Sequence, residues 1–308
     1  ITPETAILLE RTLGVPSGFW NNRQRLYDEF VARIEEQKYL QTIVAWVKHF
    51  PYASMVKLGW VPKAPKDMEK LEHLLTFFGV GDPKAWEDYW TGIQVAYRKS
   101  RAINTNEYAL AAWLRRGELV SRGINCQPYN PDNFKNILMD IRQLTIQPPQ
   151  LFRKQLIDIC ASAGVAVVFV PELPKTASGA TRWLTPDKAL IQLSLRYKTD
   201  DHLWFTFFHE AAHVLFHPKR DIFIQDKETS GKYEDQANSF AKDTLIPHRD
   251  FQEFVSGMLF TSDSIRVFAQ HIKIAPGIVV GRLQKEGYLP WNSSCNHLKR
   301  KLEWVKAA

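Results

Sequence analysis

Phe207-Phe208-His209-Glu210-Ala211-Ala212-His213-Val214-Leu215-Phe216-His217 is the stretch on which the reading of this chain turns. Its aromatic and aliphatic residues belong in a core, yet they surround three histidines and a glutamate. Asp200-Asp201 can cap a helix and Pro218 ends the run, so a helix is expected from about His202 to His217. Trp204, Phe208, Ala211, Ala212 and Leu215 would form its core face. His209 and His213 lie one turn apart, so their rings leave the same side. Two imidazoles at this spacing can hold one zinc ion at about 2.0–2.1 Å. Glu210 projects toward the open side of the metal, where it can take a proton from a zinc-bound water. This is the HExxH arrangement of metal-assisted hydrolysis.

A third ligand is sought downstream. KYEDQANSFAKDTLIP (232–247) reads as a helix ended near Pro247. Glu234, Ala237, Asn238, Ala241 and Leu245 share one stripe, and the two alanines permit close approach to the histidine helix. Glu234 would complete a His-His-Glu site with the fourth position left for water. Asn238, one turn on, can hydrogen-bond a ligand. Asp235 is the alternative carboxylate, about 100° around the helix. His217 reads as a polar helix end. The longer pattern with Gly and a third His after HExxH is absent, since those positions hold Phe216 and Lys219.

Before the histidine stretch the period changes. GVAVVFVPEL (164–173), SGATRWLT (178–185) and KALIQLSLR (188–196) read as short strands separated by turn residues. In the last, Ala189, Ile191, Leu193 and Leu195 alternate with Leu190, Gln192, Ser194 and Arg196, which predicts one buried face. A small, about three-stranded antiparallel sheet is expected. Peptidases of this site class commonly take substrate as an added strand. SGATRWL (178–184) is the expected edge, with Ser178, Gly179 and Arg182 as substrate-binding candidates. Gly179 permits close backbone approach. Arg182 would polarise the scissile carbonyl or orient substrate, or else merely blunt the edge. After the histidine helix, further helices are expected at about 233–245, 263–272, 277–286 and 293–305. Val267, Phe268, Ile278, Val279 and Leu283 should be buried.

Residues 1 to about 124 read as helices with short breaks. LERTLGVPSGFW (9–20) and LEHLLTFFGVGDPKAWEDYW (71–90) echo one another, which indicates a reused helix–turn–helix element. AYRKSRA and AAWLRRGE form a basic patch, read as a solvated helix face. The chain has 308 residues, 45% hydrophobic and 12% aromatic, enough for two domains with real cores. Its net charge of +7 comes without a long Lys/Arg block, so charge alone does not call for nucleic acid. Three scattered cysteines exclude a disulfide framework and favour a reducing cytoplasm. No apolar run can span a bilayer. The opening ITPETAILLE is no signal peptide and lacks Met, so the chain is expected to be a fragment or processed product.

With HEAAH, then ExxAN followed by FAKDTLIP, the chain resembles the ImmA/IrrE family of zinc metallopeptidases over about residues 128 to 290. ITPETAILLERTLGVPSGFW separately resembles the closing helices of a HigA-like (XRE-type) helix-turn-helix domain. The resemblance implies an α+β fold: a mostly helical, zincin-like peptidase domain at 125–308, preceded by a helical linker at 31–124 and a helix-turn-helix remnant at 1–30. It implies Zn2+ on His209, His213 and Glu234, with Glu210 as the base. It further implies a cytoplasmic regulatory protease that cuts a repressor or antitoxin, either a partner or the chain itself. DNA would be bound through an upstream helix-turn-helix and only weakly by these residues, and a homodimer is compatible. The competing reading is a DNA-binding antitoxin or regulator whose peptidase-like domain only senses or binds a partner. The intact Glu210 favours the enzyme. The basic balance and SIRVFAQHIKIAPGIVVGRLQKEGYL (264–289) favour the regulator.

Overall fold

A computed structural model describes residues 1–97, 106–225, 231–257 and 259–304. The first half is helical: α1 (Pro3–Leu13), α2 (Ser17–Ile43), α3 (Tyr52–Lys57), α4 (Asp67–Phe78), α5 (Pro83–Tyr97) and α6 (Glu107–Ser121). Then come α7 (Pro131–Gln143), α8 (Pro149–Ala161), β1 (Val165–Phe169), β2 (Gly179–Thr185) and β3 (Lys188–Leu193). The histidine helix is α9 (Asp200–Phe216), followed by β4 (Phe223–Gln225) and α10 (Lys232–Leu245). The chain ends through α11 (His248–Ser256), α12 (Ser262–His271) and α13 (Pro276–Lys285). The fold is α+β and mostly helical, with one small sheet. Among the described residues no helix is long and apolar enough to cross a membrane.

The sheet has four strands in the order β1-β3-β2-β4, one more than expected. β4 is only three residues long, too short to carry a period. β3 pairs antiparallel with β2 but parallel with β1, so the sheet is mixed rather than antiparallel. β4 pairs antiparallel with β2 over Gly179–Thr181. β2 is therefore not the edge expected of it: β4 covers that side, with Ser178 Oγ donating to the Gln225 carbonyl oxygen at 3.1 Å.

Both faces of the sheet are covered, which corrects the one-faced reading of β3. Val165, Val167, Ala189, Ile191 and Leu193 face one core with Trp204, Phe207, Phe208 and Val279. Ala166, Val168, Ala180 and Leu190 face a second core with Leu71, Leu74, Trp86, Leu110 and Trp113. Gln192, on that second face, donates through Nε2 to the Trp113 carbonyl at 2.7 Å. A Cβ at Gly117 would stand 1.8 Å from Gln192 Oε1, so a glycine is needed for α6 to lie this close. The AAWLRRGE segment is thus no solvated face. Ala111, Ala112, Trp113 and Leu114 are buried, and Arg115 pairs with Glu118 at 2.7 Å. Arg98–Ala102 of the other basic stretch lie outside the described residues.

The sequence echo has a structural counterpart. α1 and α4 both end on a glycine in the left-handed region, Gly14 (φ 69) and Gly79 (φ 71), where other residues are strained. The copies differ in burial. α4 buries Leu71, Leu74, Leu75, Phe77 and Phe78, whereas α1 buries only Ala6.

At the other end, α12 and α13 stand where helices are expected at about 263–272 and 277–286, with Ala275 at the cap position of α13. Phe268, Ile278, Val279 and Leu283 are buried as expected, but Val267 is 68% exposed. Among the described residues of the expected helix at 293–305, no α-helix forms. A 3-10 turn at Ser294–Leu298 gives way to an extended segment in which Lys301 bridges Thr199. This segment straps the start of α9. Lys299 Nζ lies 2.6 Å from Asp201 Oδ2, and Arg300 N donates to Asp200 Oδ1 at 3.0 Å.

Candidate metal centre

α9 is buried over most of its length because it lies between the sheet, α10 and α13. α10 crosses it through Ala237 and Ala241, both fully buried, and the small side chains let the helices approach closely. That approach carries Glu234, in the first turn of α10, onto the two histidines. Asp235 is exposed on the other side of α10 and takes no part.

His209, His213 and Glu234 each offer a ligand atom, and these atoms lie within 4.8 Å of one another. His209 Nε2 stands 3.0 Å from His213 Nε2. Glu234 Oε2 is 3.2 Å from His209 Nε2, and Oε1 is 3.7 Å from His213 Nε2. Tetrahedral ligands at zinc bond lengths of about 2.0–2.2 Å stand about 3.3–3.6 Å apart, so this triangle fits one small ion. Glu234 is buried, and neither of its carboxylate oxygens has a hydrogen-bond partner among the described residues. A buried carboxylate without donors is costly unless a cation faces it. Burial, with His209 and His217 beside it, pushes the His213 pKa far down, so this ring is neutral, as a metal ligand must be.

The histidines are oriented from behind. His209 Nδ1 is 3.0 Å from Asn238 Oδ1, an oxygen that only accepts, so the Nδ1 proton sits there and Nε2 is free toward the cluster. His213 packs face to face on Phe223 of β4, with ring centroids 4.0 Å apart. Its Nδ1 is 2.7 Å from Nδ1 of His217. His217 does stand at the end of α9, but it is buried. Its significance was missed in the sequence, although His209, His213 and His217 share one stripe at four-residue intervals.

Glu210 is fully buried, and both carboxylate oxygens lack hydrogen-bond partners. Burial raises its pKa well above the ordinary carboxylate range, and the negative charge of Glu234 adds to this. The nearby Thr181 hydroxyl acts in the opposite sense, although its hydrogen bond, at 3.1 Å, goes to the Glu210 carbonyl oxygen. Gly179 sits directly over the carboxylate. A Cβ there would be 2.6 Å from Glu210 Oε1 and 2.5 Å from Thr206 Cγ2.

Arg182 is placed elsewhere, which corrects its candidacy. Side chains alternate along β2, so Thr181 faces α9 and Arg182 faces α6. Arg182 Nη2 donates to the Leu114 carbonyl at 3.0 Å and lies 3.4 Å from Glu118 Oε2. Ser178 is likewise occupied, accepting at its carbonyl from Ser194 N at 2.9 Å and bonding β4 through its hydroxyl.

Comparison with curated proteins returns no match. Residues 160–283 match the Peptidase_M78 family model, described as the IrrE N-terminal-like domain. The matched segment runs from the end of α8 into α13 and contains the three residues of the cluster and Glu210. The part of the chain that holds the centre is therefore similar to metallopeptidases of the IrrE/ImmA type.

Proposed function

We propose that the chain is a zinc-dependent endopeptidase of the HExxH type that cuts a repressor or antitoxin. The supporting observation is the buried triangle of His209, His213 and Glu234, with the partnerless Glu210 carboxylate beside it. Zinc bound there would supply a Lewis acid that polarises the scissile carbonyl and acidifies water. Glu210, one residue from a ligand, takes a proton from the attacking water and returns it to the leaving amine. Asn238 holds His209 in the ligating tautomer. Gly179 leaves room for the carboxylate to face the reacting atoms.

The purified chain is expected to hold about one zinc, and His213→Ala to lose tight binding, both by metal analysis. Glu210→Gln should keep zinc and fold while lowering hydrolysis of a quenched-fluorescent peptide library by at least about 10²-fold. It should also retain uncut substrate in pull-downs. One observation favours a second reading, in which the domain binds a partner without cutting it. His209, Glu210, His213 and Glu234 are all at most 3% exposed, and β4 occupies the sheet edge beside the strand that faces Glu210. No cleavage by zinc-loaded wild type, and a Glu210→Gln chain that behaves as wild type in a test of operon release, would favour that regulator.

A further inference from the structure

Three side chains form an unbroken line away from the centre: His213, with one edge in the cluster and Nδ1 behind it, then His217 and Gln236. The Nδ1 atoms of His213 and His217 are 2.7 Å apart, so one must carry a proton and the other must accept it. His217 Nε2 lies 3.3 Å from Gln236 Oε1. Tyr233 and Phe223 hold the His217 ring, at centroid distances of 4.5 Å and 5.2 Å. His217 is itself 6% exposed. Its nitrogens are thus engaged away from the cluster, and the group of converging ligand atoms does not include it.

We infer that His217 is a positioning residue for the metal: it accepts the Nδ1 proton of His213 and so fixes the tautomer in which His213 Nε2 is free to ligate. The inference rests on the metal reading of the cluster. One proton arrangement satisfies both contacts of His217 and leaves the two Nε2 atoms of the cluster bare for an ion. His213 Nδ1–H donates to His217 Nδ1, and His217 Nε2–H donates to Gln236 Oε1. The reverse arrangement protonates His217 at Nδ1 and leaves the His213 proton on Nε2, where it blocks the centre. It also sets the His217 Nε2 lone pair against the Gln236 oxygen. Asn238 does for His209, with an amide oxygen, what His217 does for His213 with an imidazole nitrogen. Each ligand histidine thus has its own acceptor, supplied once from α10 and once from the residue that ends α9.

The pair of variants follows from this equivalence. His217→Phe keeps the ring between Phe223 and Tyr233 but has no acceptor. His217→Asn places an amide oxygen at nearly the position of Nδ1. Zinc affinity would be measured by competition with a chromogenic chelator on the full chain, with folding followed by circular dichroism. His217→Phe should weaken zinc about 10–100-fold, the usual effect of losing such a partner. His217→Asn should restore most of that loss, even if both variants melt earlier than wild type. In the zinc-loaded wild type, imidazole nitrogen NMR should show His217 protonated at Nε2 and bare at Nδ1. Wild-type affinity in His217→Phe, equal loss in the two variants, or a proton on His217 Nδ1 would each overturn the inference. A wild type that binds no zinc would instead overturn the metal reading beneath it.

Discussion

Gly179 shows how much a single absent side chain can decide. Its Cα lies so close to Glu210 that an added methyl carbon would sit 2.6 Å from Oε1, well inside contact distance. The nearest neighbours are a carboxylate and the Thr206 methyl, and the carboxylate is the one that can move. Gly179→Ala is therefore expected to keep zinc but lower peptide hydrolysis by about 10²-fold, the scale of a displacement near 1 Å at reacting groups. Unchanged turnover with intact zinc would show that the carboxylate does not need this room. The two histidines of HExxH were legible as a pair because a spacing of four fixes them to one face of a helix. Glu234 was legible for a related reason, since small residues one turn apart on its stripe announce a close helix crossing. Arg182 was misread because alternation says that neighbouring residues face opposite ways, not which way is the site. His217 was undervalued because its position beside Pro218 suggested no more than a polar helix end, and the aromatic residues that enclose it come from β4 and α10.

Among the elements, the start of α9 is held under electrostatic tension. α13 lies against it through Gly277 and Gly281, where added Cβ atoms would stand 2.7 Å from Asp200 Oδ1 and 2.5 Å from Asp201 Oδ2. Burial, with the charge of Asp201 adding, pushes the Asp200 pKa up from 3.8 to about 6, against the opposing Arg300 and Asp201 amides. Ionised Asp200 thus costs stability. The cost is absent below about pH 4, where the carboxyl is protonated folded and unfolded, and is complete above about pH 6. Asp200→Asn keeps the accepting oxygen and removes the charge. It should stabilise the chain at pH 8 by up to about 3 kcal/mol and give no gain near pH 4, as read from denaturant melts at both pH values. A gain that does not vary with pH would point to some other cause. The elements themselves were mostly legible, because α12 carries a capping box, prolines bound α9, α10 and α13, and the periods are clear, although Asp200 and Asp201 lie in the first turn of α9 and Thr199 stands at its cap position. β4 was not, since three residues cannot display alternation. The extended strap at Lys299–Leu302 was not either, because its structure comes from pairing with Thr199 and Lys198 far back in the chain.

On the scale of the whole molecule, one sheet serves two cores. The helical first half supplies α4, α5 and α6 to one face, and the segment with the metal centre supplies α8, α9 and α13 to the other. Alternation in β3 could not reveal this. A strand covered on both sides still shows a period of two when one of its faces uses polar residues such as Gln192 to bond a neighbouring backbone. The α1–α2 hairpin stands outside this arrangement. Between them its two helices bury only Ala6 and Leu40, while Leu8, Phe19, Leu26, Tyr27 and Phe30 are exposed. Helix propensity and surface ion pairs such as Arg33–Glu29, at 2.8 Å, give an isolated helix little stability, and most of a helix's stability comes from packing. Backbone amides of Arg23–Glu36 should therefore exchange with deuterium at least about 10³-fold faster than those of Phe207–His213, because they open locally while the cores stay closed. Equal exchange in the two segments would mean that something covers the hairpin in solution. Otherwise the first cut by a dilute, unspecific protease should fall within α2, and it should leave the melting of both cores where it was.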